Sequence, residues 1–269
     1  MTSPIRLIAT DLDGTLLRSD RTVSRRTRTA MIAAQAAGIT IVIATARNPI
    51  TTKHFAEQAD IAGLAICANG ALVYDLAVDE VVAETHLPAE VARAVIELLR
   101  TALPEISFGF VRGMTFACEP AYAAIMLTGD HGWELSDVSQ DDALSLLDVP
   151  LSKLVVRHPT NSPAEVLARL DAAGLSGFEA SLSGAPFLDV AAAGVSKAAA
   201  LAEICADLGI EADQVVAFGD APNDLPMLLW AGRPIAVANA YPEVLAAVTE
   251  QTDSNDDDGV ALAIERLLA

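Results

Sequence analysis

The chain has 269 residues, enough for one large domain or two modest ones, and about half of them are apolar. Its formal net charge of −19 excludes nucleic acid and anionic membrane as partners, because both select basic surfaces. The segment from Met1 to Arg6 has no signal-peptide core, no uncharged apolar run reaches transmembrane length, and Cys67, Cys118 and Cys205 lack metal-type spacing. A cytoplasmic protein with reduced thiols is expected.

In chain order, the apolar run Ile5 to Ala9 ends on Thr10 and Asp11 and reads as a buried strand. Ser24 caps a helix that closes at Gly38, Ile39 to Ala44 forms a second strand ending at Thr45, and another helix leads to the strand Leu64 to Cys67. This β-α-β-α-β order predicts a parallel sheet with right-handed crossovers. From residue 71 the rhythm changes. Short hairpin strands, a helix from Pro88 to Arg100, weak strands at 107–111 and 114–118, a loop-rich stretch, a strand at 151–157, a helix at 162–173 and a strand at 178–183 follow. This block reads as an inserted α+β domain, residues 84–186, between core segments 1–83 and 187–269. The α/β rhythm resumes with a strand at 187–190, a helix from Lys197 to Leu208 and a strand at 215–218 that ends at Gly219-Asp220. The acidic run Asp256-Asp257-Asp258 is expected to start the last helix.

Polar groups stand at the C-terminal ends of the expected parallel strands: Asp11 and Asp13, Thr45, then Asp220, Asn223 and Asp224. That edge of an open α/β sheet binds ligands. Four carboxylates in one crevice repel, so either some stay protonated or a cation sits among them. An all-oxygen donor set with a phosphate points to Mg²⁺. Asp11 is then placed to attack phosphorus, and Asp13 to exchange protons with the leaving oxygen and with water. Gly14 permits a tight turn, and Thr45 offers a hydroxyl to a phosphate oxygen. Lys197 follows the expected cap Ser196, so a cation opposes a helix dipole there, a broken local rule that points to phosphoryl binding. The bland readings are a solvated surface lysine at 197, a helix cap at Thr45, and caps of a short helix at Asn223 and Asp224. His54, His86, His131 and His158 show no ligand spacing and read as surface or loop residues, with substrate contact at His131 the alternative; Trp133 reads as a packing residue or a lid aromatic; and Lys153, Arg157 and Arg112 either face an anion or lie on a solvated sheet face.

Four segments together resemble the haloacid dehalogenase superfamily of phosphatases, in its Cof-type subfamily IIB. They are Asp11-Leu12-Asp13-Gly14-Thr15-Leu16, Ala44-Thr45-Ala46-Arg47, Gly194-Val195-Ser196-Lys197 and Gly219-Asp220-Ala221-Pro222-Asn223-Asp224, with supporting matches at Asn69-Gly70, Ala231-Gly232, Asn239-Ala240 and Asp258-Gly259-Val260. The resemblance implies a Rossmann-like parallel core with an inserted type IIB α+β cap that closes over substrate. It implies a phosphomonoester hydrolase of small phosphorylated metabolites such as sugar phosphates, working through an aspartyl-phosphate. Asp11 would be the nucleophile and Asp13 the acid/base. Mg²⁺ would be held by the Asp11 carboxylate, the Asp13 backbone carbonyl and the Asp220 carboxylate, with Asp224 acting through the metal's waters. Thr45, Lys197 and Asn223, with the backbone at Leu12 and Ala46, would bind phosphate. Ala46 and Ala198 stand where the family usually has glycine. A phosphotransferase or mutase on the same fold, and a catalytically silent phosphometabolite binder, are the alternatives. Monomer and homodimer both remain open.

Overall fold

The computed structural model describes residues 4–126, 136 and 138–269. It resolves the chain into two compact units, 1–82 with 196–269 and 83–195. Among the described residues, no helix is long and apolar enough to cross a membrane.

The first unit opens with strand β1 (Leu7–Thr10), every residue of which is buried. Helix α1 (Arg25–Ala36) follows, capped by Ser24 accepting from the Thr27 N–H. It buries Thr27, Ala30, Met31 and Ala34, the i, i+3, i+4, i+7 set of a one-faced helix. Strand β2 (Thr40–Ala44) leads to α2 (Pro49–Ala59), where Asn48 caps and Pro49 takes the first turn. Thr45 therefore does not cap this helix. Strands β3 (Leu64–Cys67), β4 (Leu72–Asp75) and β5 (Glu80–Glu84) complete the first half.

The second unit holds helix α3 (Ala89–Ala102), strands β6 (Ser107–Arg112) and β7 (Thr115–Cys118), helix α4 (Pro120–Ile125), and strands β8 (Ser139–Gln140) and β9 (Lys153–Arg157). Helix α5 (Pro163–Ala173), opened by a Ser162–Glu165 capping box, and strands β10 (Phe178–Ser181) and β11 (Leu188–Ala192) close it. Its six strands run in the order β10-β11-β9-β6-β7-β8. Phe108, Phe110, Leu154, Val156, Leu188 and Val190 share its core with Val95, Leu99, Val166 and Leu170 from α3 and α5.

Two expectations are corrected here. The strand expected to reopen the core at 187 belongs to this second sheet, where Leu188–Ala192 pairs antiparallel with β9 and β10. A buried apolar strand reads the same in either sheet, so the unit ends near residue 195 rather than 186. Lys153 is not on a solvated face either. It is buried, with its Nζ 2.9 Å from Asp189 Oδ1, so the two strands are matched by charge as well as by shape. His131 and Trp133 lie outside the described residues.

The first unit resumes with α6 (Lys197–Leu208), β12 (Val215–Gly219), α7 (Leu225–Trp230), β13 (Arg233–Val237), α8 (Pro242–Ala247), β14 (Glu250–Thr252) and α9 (Gly259–Leu268). Its sheet runs β14-β13-β12-β1-β2-β3-β4-β5. The pairs from β14 to β3 are parallel, and β3 with β4 is antiparallel. From β1 the chain steps outward one way to β2 and β3, and later the other way from β12 to β13. The order thus reverses between β1 and β12, where the C-terminal strand ends open a crevice. This is the Rossmann-like core expected of the α/β rhythm.

A loop contact locks α6 against that edge. Gly70 has φ +104°, and a Cβ there would lie 2.3 Å from the Ser196 carbonyl oxygen. Gly70→Ala is therefore expected to destabilise the fold by about 2–4 kcal/mol, read as a lower midpoint in urea unfolding with unchanged slope. A change under about 0.5 kcal/mol would show that the loop relaxes freely.

Candidate active site

Asp11 immediately follows β1, and Asp220 immediately follows β12, so adjacent parallel strands deliver two carboxylates to the crevice. Asp224 joins them from the turn before α7. Oxygens of Asp11, Asp220 and Asp224 lie within 4.8 Å of one another. All three side chains are buried, Asp224 completely.

Lys197 enters from the first turn of α6 and is 2% exposed. Its Nζ donates to Asp11 Oδ1 and to Asp224 Oδ1, both at 2.6 Å. The surface-lysine reading is thereby excluded. Burial by itself depresses an ammonium, but here the two carboxylates outweigh it and raise the Lys197 pKa.

The carboxylates move the other way. Burial, followed by repulsion from Asp224, Asp220 and Asp13, raises Asp11 well above the ordinary range despite Lys197. Burial and then Asp224 push Asp220 up to about 7, against the hydrogen bond from Thr15. One lysine is thus too little cation for the cluster.

The oxygens differ in what holds them. Asp224 Oδ1 accepts from Lys197, and Oδ2 accepts from the backbone N–H of Asp220 and Ala221 at 3.1 and 3.0 Å. Its carboxylate is taken up by protein donors. Asp220 Oδ1 accepts from Thr15 Oγ1 at 2.6 Å. Among the described residues, Asp11 Oδ2 and Asp220 Oδ2 accept no hydrogen bond. Two donor-free oxygens on buried aspartates, an all-oxygen set and raised pKa values fit a hard divalent cation.

The segment after Asp11 is a tight turn. Gly14 has φ +75°, and a Cβ on it would stand 2.5 Å from Asp220 Oδ2, so both the backbone and the approach of Asp220 demand glycine. Leu12 is fully buried and anchors the turn, and its carbonyl accepts from the Leu17 N–H. Thr45 is buried at the end of β2, with its Oγ1 accepting from the Arg47 N–H, and Ala46 lies between them. Asn223 Nδ2 donates to Asn69 Oδ1 at 2.9 Å, which ties the turn before α7 to the Asn69-Gly70 loop.

Asp13 stands apart. Its side chain is 43% exposed, and both oxygens pair with Arg47 at 2.5 and 2.6 Å. Arg47, Thr15, Asn69 and Asn239 carry contacts here although the sequence assigns them no role; Thr15 and Arg47 sit in the four segments, and Asn69 and Asn239 in the supporting matches. Asn239 donates from Nδ2 to the Gly14 carbonyl at 2.7 Å and accepts from the Asn255 N–H. The acidic run does precede α9, but it caps nothing there. Asp256 instead accepts from Ser19 and Asp258 from Arg18, binding the catalytic turn's far end.

The sequence profile of haloacid dehalogenase-like hydrolases matches residues 8–264. YxeH of Bacillus subtilis is 31% identical, with 98% of each chain covered. The 5-amino-6-(5-phospho-D-ribitylamino)uracil phosphatase YcsE of the same organism is 30% identical over 97% of this chain and 94% of its own. The structure of BT1666 from Bacteroides thetaiotaomicron, analysed among phosphatases of that superfamily, superposes with a TM-score of 0.83 at 25% identity, covering 98% of this chain and 95% of that one. The chain belongs to the haloacid dehalogenase-like hydrolase family and is one of its phosphatases.

Proposed function

We propose that the protein hydrolyses phosphomonoesters of small cytoplasmic metabolites through an aspartyl-phosphate on Asp11. The observation that carries this reading is the state of Asp11: buried at the strand crossover, one oxygen fixed by Lys197 and the other without a donor. A carboxylate held in that way is aimed and under-solvated, which suits a nucleophile. The thiols of Cys67, Cys118 and Cys205 are buried and not joined in disulfides, which accords with a reducing compartment.

A carboxylate oxygen of Asp11 attacks phosphorus, the ester P–O bond breaks, and Asp13 gives its proton to the leaving oxygen. Water then attacks the aspartyl-phosphate, Asp13 takes its proton, and Asp11 departs as carboxylate. Thr45, Asn223, Lys197 and the backbone at Leu12 and Ala46 bind the phosphoryl oxygens. Mg²⁺ held by the Asp11 and Asp220 carboxylates and the Asp13 backbone carbonyl would neutralise charge gathering on those oxygens. Asp224, with its oxygens on Lys197 and on two backbone N–H groups, acts by fixing Lys197 and the Asp220 turn. The phosphorylated ribityl chain in the name of YcsE supports a sugar phosphate or a related compound as substrate.

Asp11→Asn is expected to lower p-nitrophenyl phosphate turnover by at least about 1,000-fold while keeping cooperative unfolding. Activity within tenfold of wild type would exclude the covalent route. EDTA is expected to abolish turnover and Mg²⁺ to restore it. Phosphate appearing on an added sugar, not in solution, would replace hydrolysis by transfer.

The metal also has a stability signature. Asp220 binds its proton more tightly in the fold than in the unfolded chain, about 7 against 3.8. Its contribution to metal-free stability is therefore complete below about pH 4 and lost as pH rises through about 7. Mg²⁺ competes with that proton, so it should raise Tm more at pH 8 than at pH 5. Equal shifts, or a larger one at pH 5, would place the cation elsewhere.

A further inference from the structure

We propose that Arg47 is the positioning residue for Asp13, fixing the carboxyl that exchanges protons with the leaving oxygen; this rests on the phosphatase reading above. Asp13 is the most exposed acid of the cluster, its side chain 43% accessible, and the backbone turns left-handed at the next residue, Gly14. A short side chain so placed keeps its rotamer freedom unless something holds it. One guanidinium does so, since Arg47 Nε donates to Asp13 Oδ2 at 2.6 Å and Nη2 to Oδ1 at 2.5 Å. Two parallel bonds set the plane of the carboxyl as well as its distance.

The clamp is itself anchored. The Arg47 N–H donates to Thr45 Oγ1 at 3.2 Å, and its carbonyl accepts from the Ala68 N–H at 2.8 Å. Its guanidinium lies over the Phe55 ring of α2, 4.9 Å from the centroid. Position thus passes from a packed helix through a planar cation to the acid. When Asp13 carries its proton, one oxygen stays on Arg47 and the other presents the proton to the leaving group. The proton lost in forming the aspartyl-phosphate returns from the water that cleaves it, so the clamp resets each cycle.

Leaving groups separate this role from phosphate binding. An alkoxide needs a proton to depart, whereas p-nitrophenolate leaves readily without one. kcat/KM reports only steps up to the aspartyl-phosphate, which isolates the protonation. Arg47→Met and Arg47→Lys are compared with wild type on ribose 5-phosphate and p-nitrophenyl phosphate. Arg47→Met is expected to lose about 100-fold on the sugar phosphate and at least about tenfold less on the aryl ester. Arg47→Lys, with one point of contact instead of a fork, should fall between, and its ratio carries the same reading if the methionine variant fails to fold. Equal losses on both esters overturn the proposal and make Arg47 a phosphate ligand or a loop support, and no loss on either overturns it too. Wild-type protein that hydrolyses neither ester overturns the phosphatase reading instead.

Discussion

A lysine ammonium buried between two aspartates is the constraint around which the core is built. Taking a charge out of water costs several kcal/mol, and only well-placed opposite charges and hydrogen bonds offset it. Lys197 meets that condition with Asp11 and Asp224, each at 2.6 Å. Yet the three come from the end of β1, the start of α6 and the turn before α7, so the contact exists only when all three elements are in register. The lysine also stands where the helix dipole disfavours a cation, which adds to what the carboxylates must offset. Removing one partner of such a buried pair leaves an uncompensated charge, typically about 3–5 kcal/mol. The chemistry and the assembly of the sheet edge therefore depend on the same atoms.

Glycines and small residues make that assembly sterically possible. Gly70 lets the loop after β3 touch the Ser196 carbonyl, and Gly14 lets Asp220 close on the catalytic turn. Gly219 does the same for Asp224, whose Cβ would be 2.5 Å from any added Cβ. The short turn from Gly219 to Asp224 is thus as much scaffold as ligand set. Asp224 accepts from its own turn's backbone and from Lys197, which converts a run of loop residues into a fixed bracket for Asp220.

What the sequence reveals follows from how local each signal is. Strands β1, β2 and β3 are apolar runs, and β1 and β2 lead straight into Asp11 and Thr45, so both the strand positions and the crevice edge are legible. Ser24, Asn48 and Ser196 cap helices by bonds within three residues. Lys197 betrays itself by breaking the dipole rule. The strand at 188–192 is misassigned because burial shows that a strand is covered, not which sheet covers it; its partner is chosen by contacts such as Lys153 with Asp189, 36 residues apart in the chain. The Arg47 clamp on Asp13 and the Asn239 bond to Gly14 are equally invisible, since nothing local announces partners 34 and 225 residues distant.

Those distant bonds resolve the tension between a chain of net charge −19 and anionic substrates. The surplus carboxylates are not all idle surface. Asp256 and Asp258 hold Ser19 and Arg18 at one end of the catalytic turn, and Asn255 Nδ2 donates to the Leu17 carbonyl just before them. Asn239, itself bonded to the Asn255 N–H, takes the Gly14 carbonyl. The turn that carries Asp11 and Asp13 is therefore bound at Gly14 by Asn239 after β13, and at its far end, residues 17–19, by the segment just before α9. Surface anions lying beyond a Debye length of about 8 Å are screened in physiological salt, so they disturb the phosphate site little. Within the crevice, where screening fails, the balance rests on Lys197 and, on the proposed mechanism, on the divalent cation that the Asp11 and Asp220 carboxylates would hold. An acidic protein can then act on phosphates because its negative charges near the site are either bonded to the chain or shared with a positive one.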